Sequence, residues 1–281
     1  ESDETRYCVR RQTVPASPGW QTAHGVVVGR GTARPDRSCM SFVTACAPRS
    51  PLAIAENHLV ELLPHRDRRH LPDCAEQVEL RAADVLGASD QPSRHIYFPI
   101  DAFASLLVSM GGGSVLEVGM VGREGMVGSQ LALGIGSCPL NTVVHRPGSS
   151  WRVETTAFEA LLACCAPLRT TVSRYQHVLM SQLARSSGCV RYHRIGPRLA
   201  RWLLMCQDRT QSNSFHVTHE FMAGMLGVRR VGVTSAAVAL QRRGLICYHR
   251  GDLTVLDRPA LEKVACSCYA TDRRTYDDWL Q

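Results

Sequence analysis

The chain has 281 residues, 44% of them apolar, a composition that suits a folded protein and excludes a wholly disordered one. No apolar run approaches the ~18 residues of a membrane span. No apolar core follows the opening ESDETRYCVRR, so a cytoplasmic chain without an export signal or a membrane partner is expected. The 32 basic and 25 acidic residues give a net charge of +7, and Lys263 is the sole lysine. Residues 191–250 hold ten arginines against Asp208 and Glu220, a local charge of +8 on an otherwise nearly neutral chain. Such a segment suits a polyanionic partner, nucleic acid first, with a solvated arginine-rich surface as the plain alternative. Twelve cysteines without regular spacing suggest reduced thiols rather than a disulfide framework.

Residues 1–50 are rich in Arg, Ser, Thr, Pro and Gly and show no sustained period, so disorder is expected there. Met40 is the first methionine, and a native start at that point would make the preceding residues an upstream extension. NHLVELLP (57–64) reads as a short helix ended by Pro64. IYFPI (96–100), FASLLVSM (103–110), VLEVGMV (115–121) and WRVET (151–155) read as strands. Gly111-Gly112-Gly113, Gly122, Gly125, Gly128 and Pro147-Gly148 punctuate them, which predicts an antiparallel sandwich or roll over 51–165.

From about 168 to 190 the period becomes helical. Leu168, Val172, Tyr175, Leu179 and Leu183 recur at steps of four and three. This stripe is either a core face or, as preferred here, the seam along which the helix pairs with its symmetry mate. IGPRLARWLLMC (195–206) forms a second helix, with Leu199, Trp202, Leu203 and Cys206 on one face and arginines on the other.

FHVTHEFMAGMLGVRRVGVTSAAVALQRRGLI (215–246) fits a helix-turn-helix template. Thr218 is placed to cap a short helix whose buried pair is Met222 and Leu226. Ala223 is small enough to let two helices cross closely, and Gly227 suits a turn with positive φ. The second helix then runs from about Arg229 to Arg243 with Val233 and Ala236 facing inward. Its exposed positions would be Arg229, Arg230, Val231, Thr234 and Ser235, where a recognition helix meets base edges. Arginine can take guanine O6 and N7 together, and threonine can touch a thymine methyl. Contact of Arg229 or Arg230 with phosphate alone is the simpler reading. CYHRGDLTVLD (247–257) reads as a β-hairpin wing turning at Arg250-Gly251-Asp252. Thr218, His219, Arg242 and Arg250 complete the set of candidate DNA contacts.

This arrangement resembles the Crp/Fnr superfamily of bacterial transcription regulators over about residues 55–270. The resemblance rests on GREGMVG (122–128), RLARWLLM (198–205), the helix-turn-helix and LTVLDRPALE (253–262). It implies an α+β fold: an N-terminal jelly-roll-like β-roll at 51–165, a long dimerisation helix at 166–190 and a C-terminal winged helix-turn-helix at 191–281. It further implies an effector pocket in the roll, for which Gly122, Glu124, Gly125, Thr142 and Arg146 are the candidates. Members that bind cyclic AMP carry an Arg followed by small residues for the cyclic phosphate. Here Asn141-Thr142-Val143-Val144 stands there instead. A desolvated phosphate without a buried cation is costly, so no tight cyclic-nucleotide binding is expected. The best-known members read DNA with an Arg-Glu pair and a later Arg. Arg230 matches the first, Val231 replaces the Glu and Ser235 stands near the later Arg, so the target should differ.

Cys39, Cys46 and Cys74 do not form an iron–sulfur spacing, and Cys164-Cys165 are adjacent. Cys266-x-Cys268 has no partner Cys or His at a zinc spacing in the sequence, so neither metal nor cofactor is expected. No nucleophile–base motif or P-loop points to an enzyme. The expectation is a homodimeric regulator on double-stranded DNA with a two-fold symmetric site, and RNA polymerase as a candidate further partner. A protein-interaction module with vestigial DNA contact and, behind it, a nucleotide-regulated enzyme are the rivals.

Overall fold

The computed structural model describes residues 57–68, 71, 73–110 and 114–281. The expectations for residues 1–50 with Met40, Cys39 and Cys46, and for the turn at 111–113, lie outside the described residues.

The N-terminal part is a roll of two antiparallel sheets. Helices α1 (His58–Glu61) and α2 (His65–Arg68) precede strands β1 (Ala75–Leu80), β2 (Val85–Gly87), β3 (His95–Pro99), β4 (Phe103–Met110), β5 (Ser114–Val121), β6 (Asn141–Arg146) and β7 (Gly148–Glu154). One sheet has the order β1-β7-β3 and the other β2-β6-β4-β5. The four predicted strands appear nearly at their expected bounds. Strands β1 and β2 leave no mark in the sequence, because AEQVEL and VLG carry too few apolar residues to show a period. Asn57 holds the entry to the roll. Its Oδ1 caps α1, and its Nδ2 donates to the carbonyls of Pro99 and Gly125 at 2.9 Å each.

Helix α3 (Thr155–Cys164) leads into the long helix α4 (Ala166–Tyr192), 27 residues with Pro167 in its first turn. The helix runs through Gly188 without a break. Leu168, Val172 and Tyr175 from the predicted stripe are buried within one chain against the roll, together with Phe98, Phe158 and Met126. Leu179 and Leu183 pack on the adjoining roll cluster around Leu106 and Val121. The apolar stripe is therefore the face that α4 turns to its own roll.

Helix α5 (Ile195–Thr210) begins the C-terminal part. Strand β8 (Ser214–His216), α6 (His219–Leu226), α7 (Arg230–Arg242), β9 (Ile246–His249), β10 (Asp252–Val255), α8 (Arg258–Val264) and α9 (Cys268–Trp279) follow. The wing is a three-stranded sheet of order β8-β10-β9. Helix α9 returns to pack along α4, with Leu280 buried in the roll's core.

The expected outward arginine face of α5 is corrected by the structure. Arg198, Arg201 and Arg209 are 7%, 7% and 5% exposed. Arg198 donates to the Leu226 carbonyl, Arg201 pairs with Asp272 at 2.8 Å, and Arg209 pairs with Glu124 at 2.8 Å. The helix is covered by α7 and α8 on one side and by the roll and α9 on others, so these three guanidiniums are enclosed. Of the ten arginines in 191–250, the other seven (191, 194, 229, 230, 242, 243 and 250) are exposed.

The roll and the winged helix share one core, in which Phe103 and Met120 pack with Leu199, Trp202, Met222 and Val233. His145 stacks on Phe103 at 4.7 Å and meets Phe221 edge-on at 4.6 Å. Burial pushes the His145 pKa down to about 4, so the ring is neutral at this junction. Glu117 receives hydrogen bonds from Trp202 Nε1 at 2.8 Å and from Ser105 Oγ. Burial raises its carboxyl from 4.5 to about 7, against the opposing pull of those two donors.

Between these two values the folded chain binds more protons at Glu117 than the unfolded chain does. The stability contributed by Glu117 is whole below pH 4.5 and is lost as pH rises through about 7. Glu117→Gln keeps an acceptor for Trp202 and cannot ionise. Its stability relative to the native chain should rise by ~1–2 kcal/mol between pH 5 and pH 8, as read by denaturant titration. A difference that stays flat with pH would contradict the buried carboxyl.

Candidate nucleic-acid interface

The helix-turn-helix is built by local rules that its sequence states openly. Thr218 has extended backbone and its Oγ1 accepts from the Phe221 amide at 3.1 Å, which caps α6. The helix ends at Gly227, with φ +63° and ψ +39°, and its amide bonds back to the Gly224 carbonyl. A side chain there would be strained and would also meet Leu116 of β5. Arg229, in extended conformation, starts α7 about 110° away from α6. Met222, Ala223 and Leu226 then face Val233, Ala236, Ala237 and Leu240 in a shared core.

Seven of the nine candidate contacts divide into two groups. Thr218, His219 and Thr234 hold the motif together. His219 stacks on Tyr248 of β9 at 4.3 Å, and its Nδ1 lies 3.0 Å from Thr234 Oγ1. Thr234 Oγ1 also donates to the Arg230 carbonyl. Burial first, and the Arg230 charge second, hold the His219 pKa below the usual histidine value. These bonds tie α6, α7 and the wing into one unit. Arg229, Arg230, Val231 and Ser235 instead project from the first turns of α7 into solvent. Val231 is 75% exposed, a large figure for an apolar side chain on a packed domain. Arg230 sits 4.0 Å from Glu220, a contact too exposed to restrain it.

Arg242 lies exposed at the far end of α7 beside the exposed Arg243. The wing turn consists of Arg250 and Gly251, with φ +51° and +97°. Two positive φ values between paired His249 and Asp252 match the tight hairpin turn whose twist fits its strands. Arg250 thus stands at the wing's tip, exposed.

The roll's candidate effector residues are drawn into internal packing. Glu124 accepts from the Gly122 amide at 3.2 Å and from Arg209. A Cβ on Gly122 would lie 2.8 Å from Arg209 Cγ, and one on Gly125 would run into the Tyr175 ring. These two glycines let α5 and α4 press onto the loop. Arg146 donates to the Thr210 carbonyl at 2.8 Å, at the end of α5. Thr142 is buried in β6, paired with Leu106 and Gly87, and is not brought to Glu124 by any bond described. Tyr276 of α9 donates to the Glu124 carbonyl at 2.8 Å. Among the described residues no single helix is long and apolar enough to cross a membrane.

The chain thus places a β-roll, a long helix and a winged helix-turn-helix in succession. Residues 197–264 match the family model of the Crp-like helix-turn-helix domain. Similar solved structures include FixK2 from Bradyrhizobium japonicum, 13% identical over 69% of this chain and 98% of that one, with a TM-score of 0.60. A CRP/FNR-family transcriptional regulator from Thermus thermophilus is 19% identical over 68% and 99%, with a TM-score of 0.56. The c-di-GMP responsive global regulator CLP from Xanthomonas campestris is 14% identical over 69% and 100%, with a TM-score of 0.57. No curated protein sequence matches the chain. Residues 197–264 thus carry a Crp-like helix-turn-helix domain, and the chain shares the fold of these solved structures.

The Thr218 cap has a direct test. Thr218→Ala should cost about 1 kcal/mol of stability, and Thr218→Ser should restore most of it, both read by denaturant unfolding. An unchanged midpoint in the alanine variant would show that the cap contributes nothing.

Proposed function

We propose that this chain is a homodimeric, sequence-specific regulator of transcription that reads double-stranded DNA with α7. The observation that carries this reading is the outward face of α7. Arg229, Arg230, Val231 and Ser235 are exposed at the N-terminal end of a rigidly held second helix, beside a wing tipped by Arg250. That end of a recognition helix meets base edges in the major groove, and the surrounding arginines suit the phosphates. Val231 cannot accept a hydrogen bond from cytosine, so this position favours a thymine methyl or tolerates several bases. A protein-interaction module needs no such row of exposed guanidiniums around one helix. The setting is the cytoplasm, where promoter DNA and RNA polymerase are both accessible.

The dimer seam moves one face round from the predicted stripe. With Leu168, Val172 and Tyr175 committed to the roll, the outward row of α4 is Ser173, His177, Met180, Ala184, Ser187 and Arg191. Its steps of four and three suit pairing with a second copy of the same helix. Met180 is 63% exposed at its centre. The roll then serves as the body that sets the two α4 helices and does not bind cyclic AMP tightly. Its Glu124 is paired with Arg209, and Asn141-Thr142-Val143-Val144 stands where the resemblance to cyclic-AMP binders calls for an Arg followed by small residues.

Two measurements test this. Fluorescence anisotropy on genomic promoter fragments should show specific binding that weakens steeply with salt. Arg230→Ala should weaken it by ~1–3 kcal/mol and relax selectivity at one base pair. Equal binding of all fragments by the native chain would overturn the reading. Met180→Glu should shift the native mass from dimer to monomer in sedimentation, while a folded dimer of that variant would move the seam elsewhere.

A further inference from the structure

The end of α4 and the start of α9 bring together four side chains that the sequence keeps far apart. Cys189 and His193 stand one helical turn apart where α4 ends. Cys266 lies in the short segment between α8 and α9, and Cys268 is the first residue of α9. The Sγ atoms of Cys189 and Cys266 are 3.6 Å apart, and Cys268 Sγ lies 3.5 Å from His193 Nδ1. All four donor atoms lie within 4.8 Å of one another. The three cysteines are 3%, 7% and 6% exposed and form a small buried cluster of their own. In the sequence Cys266-x-Cys268 stands without partners. The fold supplies one Cys and one His from a helix about 75 residues upstream.

We infer that Cys189, His193, Cys266 and Cys268 form a structural zinc site that fastens the end of the long helix to the segment joining α8 and α9. Zinc takes thiolates at about 2.3 Å and imidazole nitrogen at about 2.0 Å in a tetrahedron. Those bond lengths place two sulfurs about 3.8 Å apart, and a sulfur and a nitrogen about 3.5 Å apart. The two spacings in the structure are already close to these values. Three thiolates and one imidazole make a soft donor set, which suits zinc and not magnesium or calcium. A two-iron cluster would spread its ligands over two centres, which a group this tight does not fit. A disulfide would use two of the thiols and leave the third sulfur and the imidazole without a role.

The surroundings fit the charge. A zinc ion with three thiolates carries a net charge of −1, and the buried guanidiniums of Arg198 and Arg201 line the same crevice as Cys189. Asp272, which pairs with Arg201, also pairs with Arg185 at 2.8 Å, so Arg201 is not its sole partner. The site joins three elements at the point where the chain passes from α4 to α5. The backbone already closes this joint through the Cys266 amide and the Pro197 carbonyl at 3.2 Å. An ion there would fix the direction in which the winged helix leaves the long helix. Every donor comes from the protein and no position is left open, as structural sites require.

The test needs no DNA. The full chain, purified in reductant without chelator, should carry about one zinc per chain by plasma mass spectrometry, as a closed four-ligand site requires. The double variant Cys266→Ser/Cys268→Ser should lose nearly all of it. Cys164→Ser and Cys247→Ser, both at exposed cysteines, should keep it. A second measurement guards against a double variant that fails to fold. The native chain, stripped of metal under anaerobic conditions, should take up Co2+ with the strong visible bands and thiolate charge-transfer absorption of a tetrahedral sulfur-rich site, and added Zn2+ should bleach them. A native chain that neither contains zinc nor takes up Co2+ overturns the assignment. So does zinc retained by the folded double variant, or an iron–sulfide chromophore in the anaerobically purified chain.

Discussion

Three buried arginines on one helix organise this molecule. Arg209 reaches the roll through Glu124, Arg201 reaches α9 through Asp272, and Arg198 caps the end of α6 through the Leu226 carbonyl. Each is a long cation taken out of water, which costs several kcal/mol unless its partner is well placed. Removing one partner would leave an uncompensated buried charge, so the three contacts bind α5 to its surroundings more by the penalty of breaking them than by the gain of making them. The roll, the long helix with α9, and the helix-turn-helix are held in one orientation by this helix.

That constraint explains what is left outside. Once α5 has used its own arginines internally, the arginines of 191–250 that face solvent are those at α7, the wing and the joint between α4 and α5. Helix α6 is fixed on both sides, by Arg198 at its end and by Phe221 against His145 near its start. Helix α7 is fixed through Thr234, His219 and Tyr248. A reader of base edges must be stiff, because a small error in helix placement misaligns every hydrogen bond it makes. The polar residues at the motif's back supply that stiffness and leave its front to Arg229, Arg230, Val231 and Ser235.

The helix-turn-helix is legible in the sequence because its rules are local. A capping threonine, a glycine with positive φ and a hairpin turn each act within a few residues. The long helix is legible as a helix, but its apolar stripe does not say which neighbour it faces. Leu168 and Tyr175 have the same periodicity whether they meet a roll or a second copy of the chain. The charge of α5 misleads for a related reason. An arginine is read as exposed unless its partner is known, and Glu124 and Asp272 lie 85 residues before Arg209 and 71 residues after Arg201. The cysteine cluster is hidden in the same way, since only the return of α9 onto α4 brings Cys266 and Cys268 to Cys189 and His193.

The most direct measurement is selection of bound fragments from randomised DNA, followed by sequencing. An enriched inverted repeat is expected, with half-sites one helical turn, about 34 Å, or a multiple of it apart, as two copies of α7 related by a two-fold axis require. No enriched motif at low ionic strength, from a chain shown to be folded, would contradict the placement of α7 in a DNA groove.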